Sequence, residues 1–549
     1  MSSAERRGLV SCLLLLSMRL VVAADEPKAA SVAVNLAAAD ELCRLGKFAD
    51  AETGYRALLK TDSKLVPAEA GLIRAMLNEQ KIDEALDTAN AALAEQPNSA
   101  ALMAAKGDVE FRRGEMSDAE KLYFAAERVD PREVRAHLGL ALLYNSYSLH
   151  RKAYDHLQTA RSIAPEDPAV QLAWIRMLPR EQKLAAMTSY FAAPSHQEEA
   201  KAFSTYVDFL KSVMGKAGHV CRLVSNVEHT ETKLEPFSAA NARRSRAIAL
   251  TITINDQKAL LPLDTGATGI VLGKQLAETL RLPRISAAYV GGWGDRGPQN
   301  GYRAVADRIR IGELEFQDCV VVVADIPGAD GLIGTDVFER YIVDIDLAQM
   351  QLRLSPLPKR PEELAASTSL NSEGEEAITG EKDGPGRLST EQNPSRLIDE
   401  LVPKDRYIAP QMADWTRVFR FRNLLLVPTT VNDSEPLLFL VDTGSVGSML
   451  SLGAGRTASK VRSEDKVRLK GLSGSVNSVY SSRSAKLRFG HLEQKNKDIL
   501  TIDLSNMSRQ VGTEISGVLG FQVLMMLDVK LDYRDGLADF EYDPKARKR

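Results

Sequence analysis

Leu260-Leu261-Pro262-Leu263-Asp264-Thr265-Gly266-Ala267 and Leu437-Leu438-Phe439-Leu440-Val441-Asp442-Thr443-Gly444-Ser445 each run from an apolar stretch into Asp-Thr-Gly. Upstream of the first, Ala247 to Ile254 is rich in β-branched residues with period-2 character, and Asn255-Asp256 marks a tight turn. Upstream of the second, Leu424 to Val431 reads as a strand and Asn432-Asp433 as its turn. The turn asparagine precedes the aspartate by nine residues in one copy and ten in the other. Both motifs are therefore expected at the ends of β-hairpins. Downstream, Gly331-Leu332-Ile333-Gly334 and Gly517-Val518-Leu519-Gly520 end 70 and 78 residues after the aspartates, and Asp346 and Asp532 each follow twelve residues later. The C-terminal part is an internal duplication of a β-rich unit. One Asp-Thr-Gly is expected by chance roughly 0.1 times in a chain of this length, so two copies in matching contexts carry a fold signal.

Each unit resembles a lobe of the aspartic proteases, closer in size and layout to the retroviral (retropepsin-like) type than to a pepsin lobe. The resemblance covers residues 240–356 and 415–543. It implies two all-β acid-protease-like barrel lobes, each supplying one catalytic aspartate, Asp264 and Asp442, across a pseudo-twofold axis within one chain. It implies no metal or cofactor. Two adjacent carboxyls share a proton, so one serves as general base on a water and the other donates to the scissile carbonyl. Thr265, Gly266 and Ala267 with Thr443, Gly444 and Ser445 form the supporting loops, and the threonine hydroxyls are expected to bond across the lobes. Ile333, Gly334, Leu519 and Gly520 are expected to pack beneath them. Ser445 differs from Ala267; a bond from its hydroxyl to the neighbouring carboxylate would favour Asp442 as the base. Flaps over the cleft are expected at Gly291, Gly292, Trp293 and Gly294 and at Gly471, Leu472, Ser473 and Gly474, with plain surface hairpins as the other reading. Asp344, Asp346, Asp528 and Asp532 read as structural residues at strand ends.

The first third has a different period. Ala51, Ala85, Ala119 and Ala153 lie 34 residues apart, as do Pro97, Pro131 and Pro165. Phe48, Ile82 and Met116 recur three before the alanine, and Leu58, Ala92, Ala126 and Ala160 recur seven after it. Small residues let paired helices approach, and proline ends the second helix. This resembles the tetratricopeptide repeat and implies an α-solenoid over residues 32–215, with helices from Ala169 to about Gly215 as a cap. Its concave face suits substrate or a partner protein; the other reading is a spacer that orients the C-terminal part.

The 549 residues, 44% hydrophobic and 26% charged, suit a soluble chain of several domains. A formal net charge of −3 argues against nucleic-acid binding driven by bulk charge. No apolar run beyond the N-terminus is long enough to span a bilayer. Residues 1–24, with Arg6 and Arg7 before the apolar stretch Leu9 to Val22 and small residues at Val22-Ala23-Ala24, read as an export signal, a membrane-anchored N-terminus being the lesser reading. Cys43, Cys221 and Cys319 then remain, and with no C-x-x-C spacing they read as buried, inert thiols. Residues 357–400, rich in Glu, Ser, Gly, Pro and Lys, read as a flexible linker between a first lobe at 240–356 and a second at 401–545, with part of Leu397 to Ala409 returning to order. No G-x-S-x-G or H-E-x-x-H occurs, which disfavours serine hydrolase and zinc protease chemistry. The leading expectation is an exported aspartic endopeptidase, periplasmic or extracellular. The alternatives are an inactive peptide-binding protein on the same fold and a homodimer in which each lobe pairs with another chain.

Overall fold

The computed structural model describes residues 26–214, 221–238, 247–292, 297–326, 328–364, 403–464, 467, 469–472, 474–476 and 478–542. The expected signal sequence lies outside them. The described residues fall into two compact units, 26–139 with 191–203 and 140–190 with 204–542. The architecture is a tetratricopeptide-type α-solenoid followed by two retropepsin-like β lobes.

In the first unit the helices Phe48–Thr61, Ile82–Glu95 and Met116–Val129 begin at the 34-residue interval, and so do Val66–Asn78 and Ala100–Arg113. The cause is packing. Ala51, Ala85 and Ala119 are wholly buried where a larger side chain would hold the paired helices apart. Tyr55 and Tyr123 fill the space beside them, and their hydroxyls donate to Asp40 at 2.6 Å and Asp108 at 2.9 Å. Arg74 joins this ladder through Asp108, 3.0 Å away. The segment expected to cap the last repeat is divided between the units. Residues 191–203 belong to the first, where Glu199 meets Arg44 of the opening helix Glu26–Arg44 at 2.5 Å.

In the second unit, the helix His150–Ile163 carries the repeat on, with Ala153 and Ala160 wholly buried. The β lobes follow. Ala247–Ile254 pairs with Gln257–Asp264 through a two-residue turn whose Asn255 and Asp256 have φ of 45° and 70°. Both angles suit the right-handed twist of a hairpin and are tolerated by Asn and Asp. In lobe two Leu424–Val431 pairs with Leu437–Asp442, and Asn432 has φ 57°. The duplication persists at atomic level: Asn255 Oδ1 accepts the N–H of Arg308 at 3.0 Å, and Asn432 Oδ1 that of Lys486 at 2.9 Å. A single apolar core runs through both lobes, taking in Leu263, Ile333 and Phe338 with Phe439, Val441 and Leu519.

The lobes are joined by backbone pairing. Tyr341–Asp346 of lobe one lies antiparallel to Leu527–Asp532 of lobe two, with Asp344 opposite Lys530. These two are counterparts by the same offset that relates Gly334 to Gly520, so the pseudo-twofold axis passes between them. Asp344, Asp346 and Asp528 form part of a charged face on this sheet with Arg353, Lys530 and Asp539.

Several boundaries differ from expectation. Thr230–Phe237 pairs with Ala247–Ile254, so strand structure begins upstream of residue 240. Cys221 and Cys319 are not inert thiols; they form a disulfide. The strand Arg222–Leu223 pairs with Leu314–Ala324 and brings together cysteines 98 residues apart in sequence. At the start of the expected linker, Arg360 is buried and bonds Asp535 at 2.8 Å. Beyond the expected linker, in the Leu397 to Ala409 stretch of which part is expected to be ordered, Asp405 accepts the N–H of Arg151 at 2.8 Å, and Arg406 bonds the carbonyl of Asp535 at 2.6 Å. Residues 365–402 lie outside those described.

Candidate active site

Each aspartate stands at the end of a strand with a glycine strand beside it. Gln257–Asp264 pairs in parallel with Gly331–Gly334, setting Leu263 against Ile333 and Asp264 against Gly334. Leu437–Asp442 pairs in parallel with Gly517–Gly520, setting Val441 against Leu519 and Asp442 against Gly520. The chain then turns back through the threonine and glycine. Gly334 N–H donates to the Gly269 carbonyl at 2.7 Å, and Gly520 N–H to Ser448 Oγ at 3.2 Å, so both glycine strands brace the aspartate loops.

The threonines join the loops. Thr265 Oγ1 donates to the Val441 carbonyl at 2.7 Å and accepts the Thr443 N–H at 3.0 Å; Thr443 Oγ1 does the same with Leu263 and Thr265. All four bonds are buried, where each group would otherwise be left unsatisfied.

This brings the carboxyls of Asp264 and Asp442 into hydrogen-bond contact within one chain. A Cβ on Gly444 would lie 2.5 Å from Oδ2 of Asp264, and one on Gly266 would lie 2.8 Å from Cγ of Asp442. Only glycine allows each loop so near the opposite carboxyl. Burial, then the charge of Asp442 and the bond to it, push the Asp264 carboxyl well above the usual carboxylate range, partly offset by the N–H groups of Gly266 and Gly444.

The two sides are unequal. Asp442 Oδ1 accepts the N–H of Gly444 at 2.9 Å and of Ser445 at 3.1 Å. Asp264 Oδ1 accepts that of Gly266 at 2.9 Å, while the Ala267 N–H goes to the Asp264 backbone carbonyl. The Ser445 hydroxyl, expected on the carboxylate, donates to the Gly447 carbonyl at 3.3 Å. Its backbone N–H makes the contact instead. Donors to a carboxylate favour its charged form, and both carboxyls have backbone donors: Gly444 and Ser445 at Asp442, Gly266 and Gly444 at Asp264.

Below the site, Asp336 accepts the N–H of Gly269 at 2.8 Å and the side-chain amide of Asn423 from the other lobe, while Thr335 bonds the Tyr533 hydroxyl. Burial raises the Asp336 carboxyl. Asn423 and Tyr533 have no motif around them, and their roles arise only from lobe pairing. Phe521 and Gln522 replace Thr335 and Asp336 in lobe two and are held through backbone bonds to Ser445 and Val446 at 2.7 and 3.0 Å.

Gly291 and Gly292 follow the strand Arg284–Val290, and Gly471 and Gly474 bound the short hairpin of Leu469–Gly471 with Gly474–Val476. The two segments meet: a Cβ on Gly292 would lie 2.8 Å from that of Leu472. Leu472 packs on Val271, Val290 and Ala324 of lobe one. Trp293, Gly294 and Ser473 lie outside the described residues.

The Aspartyl protease family model matches residues 250–337 and 427–523, one span in each lobe. The paired lobes are aspartyl protease-like. No curated protein matches the chain significantly. Among solved structures, a retropepsin-like aspartic protease from Rickettsia conorii is 21% identical, covering 24% of this chain and 94% of its own, with a TM-score of 0.19. A thermophilic TPR protein of Thermus thermophilus is 21% identical, covering 32% of this chain and 97% of its own, with a TM-score of 0.26. MamA is 20% identical, covering 30% and 90%, with a TM-score of 0.19. Both family-matched spans of the aspartyl protease-like lobes contain an Asp-Thr-Gly loop and its glycine strand.

Proposed function

We propose that the protein is an exported aspartic endopeptidase that hydrolyses peptide bonds of an extended polypeptide with Asp264 and Asp442 as its catalytic dyad. The observation that carries this reading is the carboxyl–carboxyl contact held by reciprocal threonine bonds. Asp442, with two backbone donors on one oxygen, starts ionised and removes a proton from a water between the carboxyls. Asp264 starts protonated and hydrogen-bonds the scissile carbonyl. The water oxygen adds to the carbonyl carbon, giving a tetrahedral intermediate. The C–N bond then breaks as a proton passes to the leaving amine, and the dyad ends again with one proton. Asp264, Asp442 and both threonines come from one chain, which favours an intramolecular site over one completed by a second copy.

Export is supported by the disulfide Cys221–Cys319, a cross-link that persists in oxidising compartments. No helix among the described residues is long and apolar enough to cross a membrane. The solenoid's proposed role is to bind substrate or a protein partner.

The test is turnover of a reduced, unfolded protein at mildly acidic pH by the full chain. Asp264→Asn and Asp442→Asn should each lower kcat/KM by about 100-fold or more, the scale of general acid–base catalysis. Activity surviving both single changes would sink this reading, and binding of peptide without cleavage by the unmodified chain would favour the inactive alternative.

A further inference from the structure

Lobe two grips one short turn of lobe one at three places. The single helical turn Thr335–Phe338 directly follows the glycine strand Gly331–Gly334. Thr335 Oγ1 bonds the Tyr533 hydroxyl, the Asp336 carboxyl accepts the Asn423 side-chain amide, and Arg420 reaches Glu339, which ends the turn, at 2.7 Å. Arg422 and Asn423 make the two-residue turn between Phe419–Phe421 and Leu424–Val431. The second of these strands pairs with Leu437–Asp442, which ends in the second aspartate. Asp336 is buried, and it also supports the loop of the first aspartate. Its two oxygens lie 2.8 and 3.1 Å from the Gly269 N–H, and the Gly269 carbonyl takes the Gly334 N–H at 2.7 Å. Gly269, with φ 64°, closes the loop that begins at Asp264. A Cβ on Gly334 would overlap Oδ1 of Asp336, so the carboxyl fits only beneath a glycine. One carboxyl therefore touches both the end of the Asp264 loop and a turn of the other lobe.

We propose that Asp336 is a positioning residue for Asp264, oriented by Asn423 of the opposite lobe, so that docking of the lobes sets the geometry of the Asp264 loop. The inference rests on the protease reading. A carboxylate is planar, so an amide that fixes one oxygen also fixes where the other points. Asn423 bonds Oδ2, and Oδ1 is the oxygen nearer the Gly269 N–H. Burial keeps this arrangement, because a donor left without an acceptor there goes unsatisfied. The second loop is held differently. The N–H groups of Phe521 and Gln522, in the corresponding turn, donate to the carbonyls of Ser445 and Val446 at 2.7 and 3.0 Å, all within lobe two. Main chain of its own lobe thus holds the Asp442 loop, while the far end of the Asp264 loop leans on a side chain that the other lobe orients. Arg420 and Glu339 supply the contrast. Glu339 is exposed, and this pair joins the same two elements with no contact to the loop.

Kinetics on the full chain test this, using peptides taken from sites that the unmodified protein cleaves in denatured casein. Asp336→Asn keeps an acceptor for the Gly269 N–H but turns its own amide against that of Asn423. It should lower kcat by about 10- to 100-fold, the scale of a reacting group misplaced by up to about 1 Å, with KM changed by less than about 2-fold. The alkaline limb of kcat/KM should move to lower pH, because an Asp264 carboxyl drawn away from Asp442 is raised less. Asn423→Ala leaves the Asp336 charge in place and should move kcat and the limb the same way. Asn423→Asp alone sets carboxylate against carboxylate. Joined to Asp336→Asn it again sets an amide against a carboxylate, and this double variant should recover kcat to within about 3-fold of the original. Glu339→Gln cuts the tie to Arg420 without touching Gly269 and should leave kcat and the limb unchanged. An unchanged kcat in Asp336→Asn and Asn423→Ala, a double variant no better than its single parents, or an equal loss in Glu339→Gln would overturn the proposal. If the unmodified chain cleaves nothing, the protease reading fails on its own. The positioning is then read from Tm against pH, as the difference between the profiles with Asp264 present and with Asp264→Asn. Adding Asn423→Ala to both should shift that difference to lower pH, and an unshifted difference would overturn the proposal.

Discussion

Thr265 and Thr443 are each other's partner: the hydroxyl of each accepts the other's N–H at 3.0 Å and donates to the carbonyl two residues before it at 2.7 Å. Thr265→Val removes the two bonds made by one hydroxyl and leaves the Thr443 N–H and the Val441 carbonyl buried without partners. The expected cost is about 2 to 4 kcal/mol, measured by denaturant unfolding, with a larger loss of turnover as the carboxyls drift apart. Thr265→Ser keeps the hydroxyl and should recover most of both. A Val variant as stable and active as the original would show that the lobes align without this exchange.

The dyad should give a bell-shaped profile of kcat/KM against pH. The alkaline limb reports loss of the shared proton held at Asp264, whose carboxyl is raised by burial and by Asp442. The acid limb reports protonation of the base. Because the Ser445 hydroxyl bonds the Gly447 carbonyl, Ser445→Ala should leave the acid limb in place. A limb moved to higher pH would put the hydroxyl on the carboxylate after all. A raised folded-state value also means stability present at low pH and lost as pH rises through it. Asp264→Asn should therefore raise Tm at neutral pH while removing activity.

A second pH effect belongs to the sheet between the lobes. Burial, with a hydrogen bond and like charge from Asp344, pushes Asp528 up to about 6, and Asp346, Lys530, Asp539, Glu541 and Arg353 share that face. Burial also pushes Asp532 up to about 6. Both groups bind protons more tightly folded than unfolded, so their contribution is complete below about pH 4 and fades as pH rises through about 6. Asp528→Asn should flatten the fall in Tm across that window. A fall of equal size in the variant would exclude this origin.

Reduction of Cys221–Cys319 frees a span of 98 residues. The chain-entropy limit for such a loop is about 4 to 5 kcal/mol. Replacing both cysteines by alanine should lower Tm, and dithiothreitol should lower it only in the unmodified protein.

Much of this architecture is legible in the residues, for local reasons. The 34-residue period shows because Ala51, Ala85, Ala119 and Ala153 all meet the same helix–helix approach, and each is fully buried. The hairpins show because Asn255 and Asn432 mark turns that few residues tolerate. What escaped depends on distant partners. Thr230–Phe237 contains Pro236 and three charged residues, and becomes a strand only because Ala247–Ile254 and Gln351–Pro356 offer edges on both sides. Arg360 sits in a stretch with a linker's composition, yet Asp535 draws it into the core of the second lobe. The aspartates and threonines are legible from their spacing; Asn423 and Tyr533 acquire their places from the meeting of two lobes.

The Ser445 N–H reaches the Asp442 carboxyl where the Ala267 N–H goes to the Asp264 backbone carbonyl, and the connection 503–516 carries the helix Ser505–Val511 where the described residues of 325–330 carry none. A site assembled from two identical chains has one set of codons for both halves, so every mutation strikes twice and no residue can be tuned on one side. Joining the copies in a single gene removes that constraint. Each half can then drift, specialise or decay while the other keeps its share of the work.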